Sequence, residues 1–325
     1  MILSFFKNNK AYHFFFIPLF VLLLWGKSLF LDESYPFFEG EDQMLLYRIM
    51  HDFLNMPLVN SLITVGLILF SAFLILYLNT AYDFITLRTF LPSNIYVFIV
   101  CGFVFCQTLH PVYFGAVFLL LSSNQLFKAF KEKPDYTNAF NAGFLLGIGT
   151  LFYFPLLFYF PIILIGFMLW STHREWRFPV LAFIGVSLPL FFAFTFYFMT
   201  DSTTLFYDII IQNIITHNLF EYNWPLKVYL GFLIIIILLG SLFAISNEAS
   251  KTATERKFFY IFFLIFLFSF LLLILVPAVS VEIFIILAIP VAILLSSYLI
   301  NIRSFLLGDI LMAALIGFSI YMQLI

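Results

Sequence analysis

Long unbroken apolar runs alternate along the chain with short polar clusters. Cutting at the clusters leaves eleven apolar segments, near residues 12–31, 57–79, 93–109, 112–128, 138–153, 155–171, 178–199, 228–246, 258–276, 281–300 and 305–323. A bilayer core about 30 Å thick takes roughly 20 helical residues. The runs are continuous rather than alternating in twos, so they predict helices and not barrel strands. The expected fold is therefore all-α: a polytopic transmembrane helical bundle of about eleven spans. The first run, Phe14 to Leu31, follows Lys7 and Lys10 without a small-x-small cleavage site, so it reads as an uncleaved span.

Lys and Arg set the orientation of such a chain. With eleven spans and the N-terminus inside, twelve of the basic residues fall on the inner side and only Lys27, Arg48 and Lys227 on the outer. The expected topology is N-in and C-out. Two hairpins are then short. From Ile95 to Phe127 there are 33 residues and from Asn138 to Ser171 there are 34. Each arm spans about 24 Å at 1.5 Å per residue. Their apices fall at His110-Pro111 and near Tyr153-Phe154-Pro155. Two such hairpins side by side predict a recess on the outer side.

Polarity gathers on that side. The first outer loop, 32–56, holds six acids in 25 residues: Asp32, Glu33, Glu39, Glu41, Asp42 and Asp52. Within it Leu45, Leu46, Ile49, Met50 and Phe53 recur at helical spacing, with Glu41, Arg48 and Asp52 on another face. This predicts a short amphipathic helix on the membrane surface, with acids at its start. The second outer loop, 200–227, carries Asp201, Asp208, His217, Glu221 and Lys227. His13 and His173 fall at inner ends and read as interfacial anchors, whereas His51, His110 and His217 fall on the outer side.

Composition narrows the function classes. The chain is 64% hydrophobic and 10% charged, with a mean hydropathy of +1.10. Soluble domains are about 45–50% apolar and about 25% charged, so solubility and disorder are excluded. A net charge of −2 offers no footprint for nucleic acid. Cys101 and Cys106 lie five apart in one apolar run, a spacing that fits neither a redox pair nor a zinc framework. There is no HExxH, P-loop or GxSxG motif. Glu282 falls at an outer helix end and Asp309 near an inner one. The spans thus lack charges at depth, which counts against proton relays and secondary transport. Clustered carboxylates suit Mg²⁺ or Mn²⁺; if a divalent cation is held, Glu39, Glu41 and Asp42 are its candidate ligands.

The layout resembles the GT-C superfamily of integral-membrane glycosyltransferases. The resemblance covers roughly residues 10–200. It is carried by Glu39-Gly-Glu-Asp42, the following Gln43-Met-Leu-Leu-Tyr-Arg48, Arg88-Thr-Phe-Leu-Pro92, and Gly143-x-x-x-Gly147-x-Gly149. The chain is also similar to Phe-rich multi-pass proteins of Bacteroidota-like composition, a likeness that implies no activity. The superfamily resemblance implies a membrane module over 1–200, followed by C-terminal membrane helices over 201–325. It implies transfer of a sugar from a polyprenyl-phosphate donor on the outer face of the bacterial inner membrane. An acid of the first outer loop then serves as general base or metal ligand, which here means Glu41 or Asp42, with Glu39 behind them. The leaving phosphate needs cationic or hydrogen-bonding neighbours, and Arg48, His110, His217 and Lys227 are the outer-face candidates. The expected partners are membrane lipids, the lipid-linked sugar and further membrane proteins. A non-catalytic scaffold subunit of an envelope complex and a lipid or solute transporter are the alternative readings.

Overall fold

The structure, a computed structural model, describes residues 2–7, 12–26, 28, 44–54, 57–85, 87–104, 107–131, 135–170, 175–216, 223–246, 253–302 and 304–324. Those residues form helices and no strand. In chain order the helices are α1 (Ile2–Lys7), α2 (His13–Leu24), α3 (Leu45–Leu54), α4 (Pro57–Tyr82), α5 (Leu91–Gly102), α6 (Pro111–Lys131) and α7 (Tyr136–Phe152). A 3₁₀ turn, Phe154–Tyr159, leads into α8 (Phe160–Ile165) and a π segment, Gly166–Trp170. There follow α9 (Arg177–Met199), α10 (Thr203–Ile215), α11 (Trp224–Ser246), α12 (Ala253–Leu275), α13 (Ile283–Asn301) and α14 (Phe305–Leu324).

Each of the eleven apolar segments contains helical backbone among the described residues, although the helix of the 93–109 segment ends at Gly102. Among the described residues, five stretches are long and apolar enough to cross a membrane: Leu58–Tyr82, Arg177–Met199, Thr254–Leu275, Ile283–Asn301 and Leu306–Leu324. The chain is thus a helical membrane protein. The segment expected as one helix over 155–171 is broken into 3₁₀, α and π pieces. Pro155 and Pro161 remove two backbone donors there, which interrupts a regular α ladder. The expected second outer loop also differs, because α10 occupies much of it. Phe206, Ile209 and Asn213 form its buried stripe, at a helical spacing legible in the sequence. Asp201 adopts φ 53°, the left-handed conformation that Asp tolerates, and so separates α10 from α9.

The core is organised around α13. Its apolar window is 89% buried inside the protein, against 28% for the corresponding windows of α9 and α14. A helix apolar on all sides and enclosed by others is a core helix, whereas α9 and α14 turn most of their surface to lipid. Helices α5, α6, α11 and α12 pack around α13. One hydrophobic cluster runs from Leu3 to Met322 and is continuous across residue 200. Cys101 sits in it as a free, buried thiol, a small apolar residue as its surroundings predict; Cys106 lies outside the described residues.

Among the described residues, several of the basic side chains expected on the inner side lie close together at one end. Lys131 Nζ donates to Ala81 O at 2.5 Å, and Lys257 lies 5.8 Å from the Phe130 ring. Phe84, Phe127 and Phe258 pack ring to ring between them. Lys7 donates to Ile300 O, and Thr89, beside Arg88, donates to Phe6 O.

The Gly143–Gly149 run has a packing role. A Cβ on Gly143 would stand 2.1 Å from Ala182 O, one on Gly147 2.7 Å from Val186 O, and one on Gly185 2.4 Å from Phe140 O. The backbones of α7 and α9 therefore touch along a seam of small residues, the commonest way membrane helices approach closely. Gly143→Ala is expected to cost about 2 kcal/mol, because a backbone carbonyl must move. Thermal unfolding of the full chain in detergent checks this. Gly231→Ala, where the added carbon meets open space, should melt no lower than wild type.

Candidate functional site

At the end opposite the basic residues, three connections meet beneath the surface helix α3. Met44, Leu45 and Tyr47 face inward while Arg48 and Ile49 stay exposed; Leu45 is buried and Arg48 exposed as the sequence spacing predicts, but Ile49, expected on the apolar face, is 64% exposed and Tyr47 takes its place inside. The inward side chains pack on Leu109 from the first hairpin apex and on Leu151, Phe152 and Phe154 from the second. Tyr197, Phe206 and Ile209 complete the cluster from α9 and α10. Tyr47 OH donates to Leu109 O at 3.2 Å, which pins α3 one residue away from His110.

Below this apolar layer lies a sealed polar cluster. His110 is 1% exposed and Glu282 is 0% exposed. Glu282 Oε1 accepts the Ser280 N–H at 2.7 Å and the Tyr153 hydroxyl at 3.2 Å. Its other oxygen accepts the Ser280 hydroxyl. Local sequence explains the geometry. Pro111 opens α6, leaving His110 as the last residue of the α5–α6 connection. The turn at 277–282 returns the chain to α13, so that Glu282 reaches back over Ser280. The His110 ring lies 6.3 Å from the Tyr153 ring, and its Nδ1 accepts the Val112 N–H at 3.2 Å. An acceptor at Nδ1 requires the neutral tautomer protonated at Nε2. Burial pushes this imidazole down to about 4, while the charge of nearby Glu282 pulls the other way. A carboxylate this deeply enclosed is tolerable only because donors surround it. The cluster joins two hairpin apices to the start of α13. The His110 and Glu282 side chains are both buried among the described residues.

The space between the hairpin apices is not an open recess. Phe114 stacks on Phe152 at 4.6 Å and Phe118 at 5.9 Å, and these rings occupy it. The open cleft lies to one side, between α3, α7 and α9. It has a volume of about 380 Å³ and is walled by Leu45, Ile49, Phe144, Leu151, Phe196 and Tyr197.

The expected site residues therefore separate. Glu39, Glu41, Asp42 and His217 lie outside the described residues. Arg48 is exposed on α3, within electrostatic reach of Tyr197 at the cleft. Lys227 is exposed on the first turn of α11. Neither cationic side chain makes a hydrogen bond or ion pair with a described residue. His110, expected to meet a substrate, is instead enclosed, because Glu282, Ser280 and Tyr153 close over it. Sequence reading placed Glu282 at the correct end of its helix but not in contact with His110. The signal available was a lone acid two residues after Ser280, at the start of a strongly apolar helix. Among the described residues no group of three His, Cys, Asp or Glu side chains could hold a metal ion.

No curated protein and no solved structure matches the chain. The model of DUF6427, a family of unknown function, matches residues 42–324, most of the chain; the chain belongs to that family.

Proposed function

We propose that the chain is a sugar transferase that uses a polyprenyl-phosphate donor at the outer face of a bacterial inner membrane. In this reading all eleven segments cross the bilayer, with the N-terminus inside and α3 on the outer surface. One observation carries it: an apolar cleft opens under an amphipathic helix that bears an exposed guanidinium at Arg48 and directly follows the acidic stretch of the sequence. An apolar cleft beside a cation suits a lipid tail and its phosphate.

The chemistry follows from those groups. The carboxylate of Glu41 or Asp42 takes the proton from an acceptor hydroxyl as that oxygen attacks the anomeric carbon. The bond from that carbon to the phosphate oxygen breaks with inversion, and the lipid phosphate leaves as an anion. Arg48 stands nearest the cleft to receive it, with His217 and Lys227 as further donors. Were Glu39, Glu41 and Asp42 to hold a divalent cation, their hard carboxylate oxygens would suit Mg²⁺ or Mn²⁺, and the ion would add positive charge against the leaving phosphate. His110 holds the apices in place behind this site.

The test pairs wild type with Glu41→Gln and Asp42→Asn in lipid, using radiolabelled polyprenyl-phosphate sugars and a membrane extract as acceptor source. Loss of a positioned general base is expected to cut transfer by roughly 10²–10⁴-fold in one variant, with unchanged melting. Chelation by EDTA distinguishes a metal-assisted site from a purely general-base one. No transfer from any donor, with both variants normal in cells, would leave the second reading: a non-catalytic membrane subunit of an envelope complex. The aromatic filling between the hairpin apices favours that alternative.

A further inference from the structure

A second groove lies at the basic end of the bundle, far along the chain from the site above. It runs between α2 and α4 and is closed by the segment 88–90. Its volume is about 400 Å³. Phe14 and Phe73 form one wall, with rings stacked at 4.7 Å, and Leu76 and Tyr77 form another. Phe14 is 44% exposed and Tyr77 51% exposed, so the groove opens sideways, toward lipid.

Its polar groups all sit at one end. Thr80 donates its hydroxyl to Leu76 O and Tyr77 O, and Thr89 donates to Phe6 O. Arg88 is different: it is exposed and makes no hydrogen bond or ion pair with any described residue, Asp83 included. A guanidinium held at the mouth of an apolar groove, at the membrane boundary, has unmet capacity for two parallel hydrogen bonds to an oxyanion. The neighbouring cations Lys131 and Lys7 spend theirs on carbonyl oxygens.

We propose that this groove is a binding site for an anionic diacyl phospholipid. The phosphate pairs with Arg88, and one acyl chain lies along Phe14, Phe73, Leu76 and Tyr77. Apolar walls and a single cation at the boundary match the two parts of that molecule. The proposal rests on the chain's membrane character and not on the sugar-transfer reading.

Native mass spectrometry of the full chain, released from micelles, tests it with phosphatidylglycerol and phosphatidylcholine of equal acyl length. One cation near a membrane surface gives about a five-fold preference for the anionic lipid. Arg88→Gln should bring that preference to near unity, whereas Arg88→Lys should keep part of it, since the charge stays and the fork is lost. Leu76→Trp should fill the groove and weaken both lipids. Arg88 is exposed and has no hydrogen-bond or ion-pair partner among the described residues, so its variants should melt as wild type does. An unchanged preference in Arg88→Gln overturns the proposal. Displacement of phosphatidylglycerol by millimolar inorganic phosphate, or full binding by Leu76→Trp, overturns it too, since either means a phosphate site without an acyl groove.

Discussion

Glu282→Ala is expected to destabilise the chain by about 4 kcal/mol, the largest effect of any single substitution considered. The side chain is wholly enclosed and accepts hydrogen bonds from the Ser280 N–H, the Ser280 hydroxyl and the Tyr153 hydroxyl. Alanine leaves all three donors facing a void. A buried donor without an acceptor costs about 1–3 kcal/mol, and the vacated volume adds to that. Glu282→Gln keeps one acceptor oxygen but turns an amide NH₂ toward donors, so a smaller loss of about 2 kcal/mol is expected. Tyr153→Phe removes one bond and should cost about 1 kcal/mol. Denaturant unfolding in mixed micelles gives the values. The double variant Glu282→Ala/Tyr153→Phe should fall short of additivity, because the two groups share an interaction. Full additivity would mean that Tyr153 and Glu282 are not coupled.

Acidification should produce the second large effect. The ordinary imidazole value is 6.5 and burial brings that of His110 down to about 4. The unfolded chain therefore binds more protons than the folded one between those limits. Stability is complete above about pH 6.5 and falls as the pH drops toward 4, by about 3 kcal/mol in all. The geometry agrees with this sign, because protonating Nδ1 would abolish the bond it accepts from the Val112 N–H. Melting temperatures of wild type and His110→Asn, compared from pH 7.5 down to 4.5, measure the effect. The variant keeps an acceptor near Nδ1 but cannot titrate, so its curve should be flatter. Two parallel curves would mean that His110 does not titrate with folding.

The two residues were unequally legible in the sequence. His110 stood out because a polar pair, His110-Pro111, interrupts an apolar stretch midway between basic clusters. Glu282 carried a weaker signal, since its partner Tyr153 and the nearby His110 lie far back in the chain. Local pattern reports on helices and their ends, but a polar contact between distant connections depends on how the bundle closes. The glycine run is a similar case. Gly143, Gly147 and Gly149 stand together in the sequence, but the reason for Gly143 and Gly147 lies in Ala182 and Val186 on the other side of the seam, and that for Gly149 in Phe118 and Leu156. The helix at Leu45–Leu54 was legible from its local spacing, but which residues it turns inward was not, because Tyr47 rather than Ile49 meets the hairpin apices. The aromatic filling between the apices was not legible either, because Phe114, Phe118 and Phe152 look like any other phenylalanines in a chain with 49 of them.

The central position of α13 has a consequence for biosynthesis. The chain leaves the ribosome in order, but the helix that the others enclose is the last but one to be made. Tyr153 waits 129 residues for Glu282, and Phe98 O waits 221 residues for the Ser319 hydroxyl. At about 5–20 residues per second these delays are roughly 6–45 s. Over that interval the earlier helices sit in the bilayer around an unfilled centre, so a chaperone or quality-control protease would meet this protein as an unclosed ring of helices.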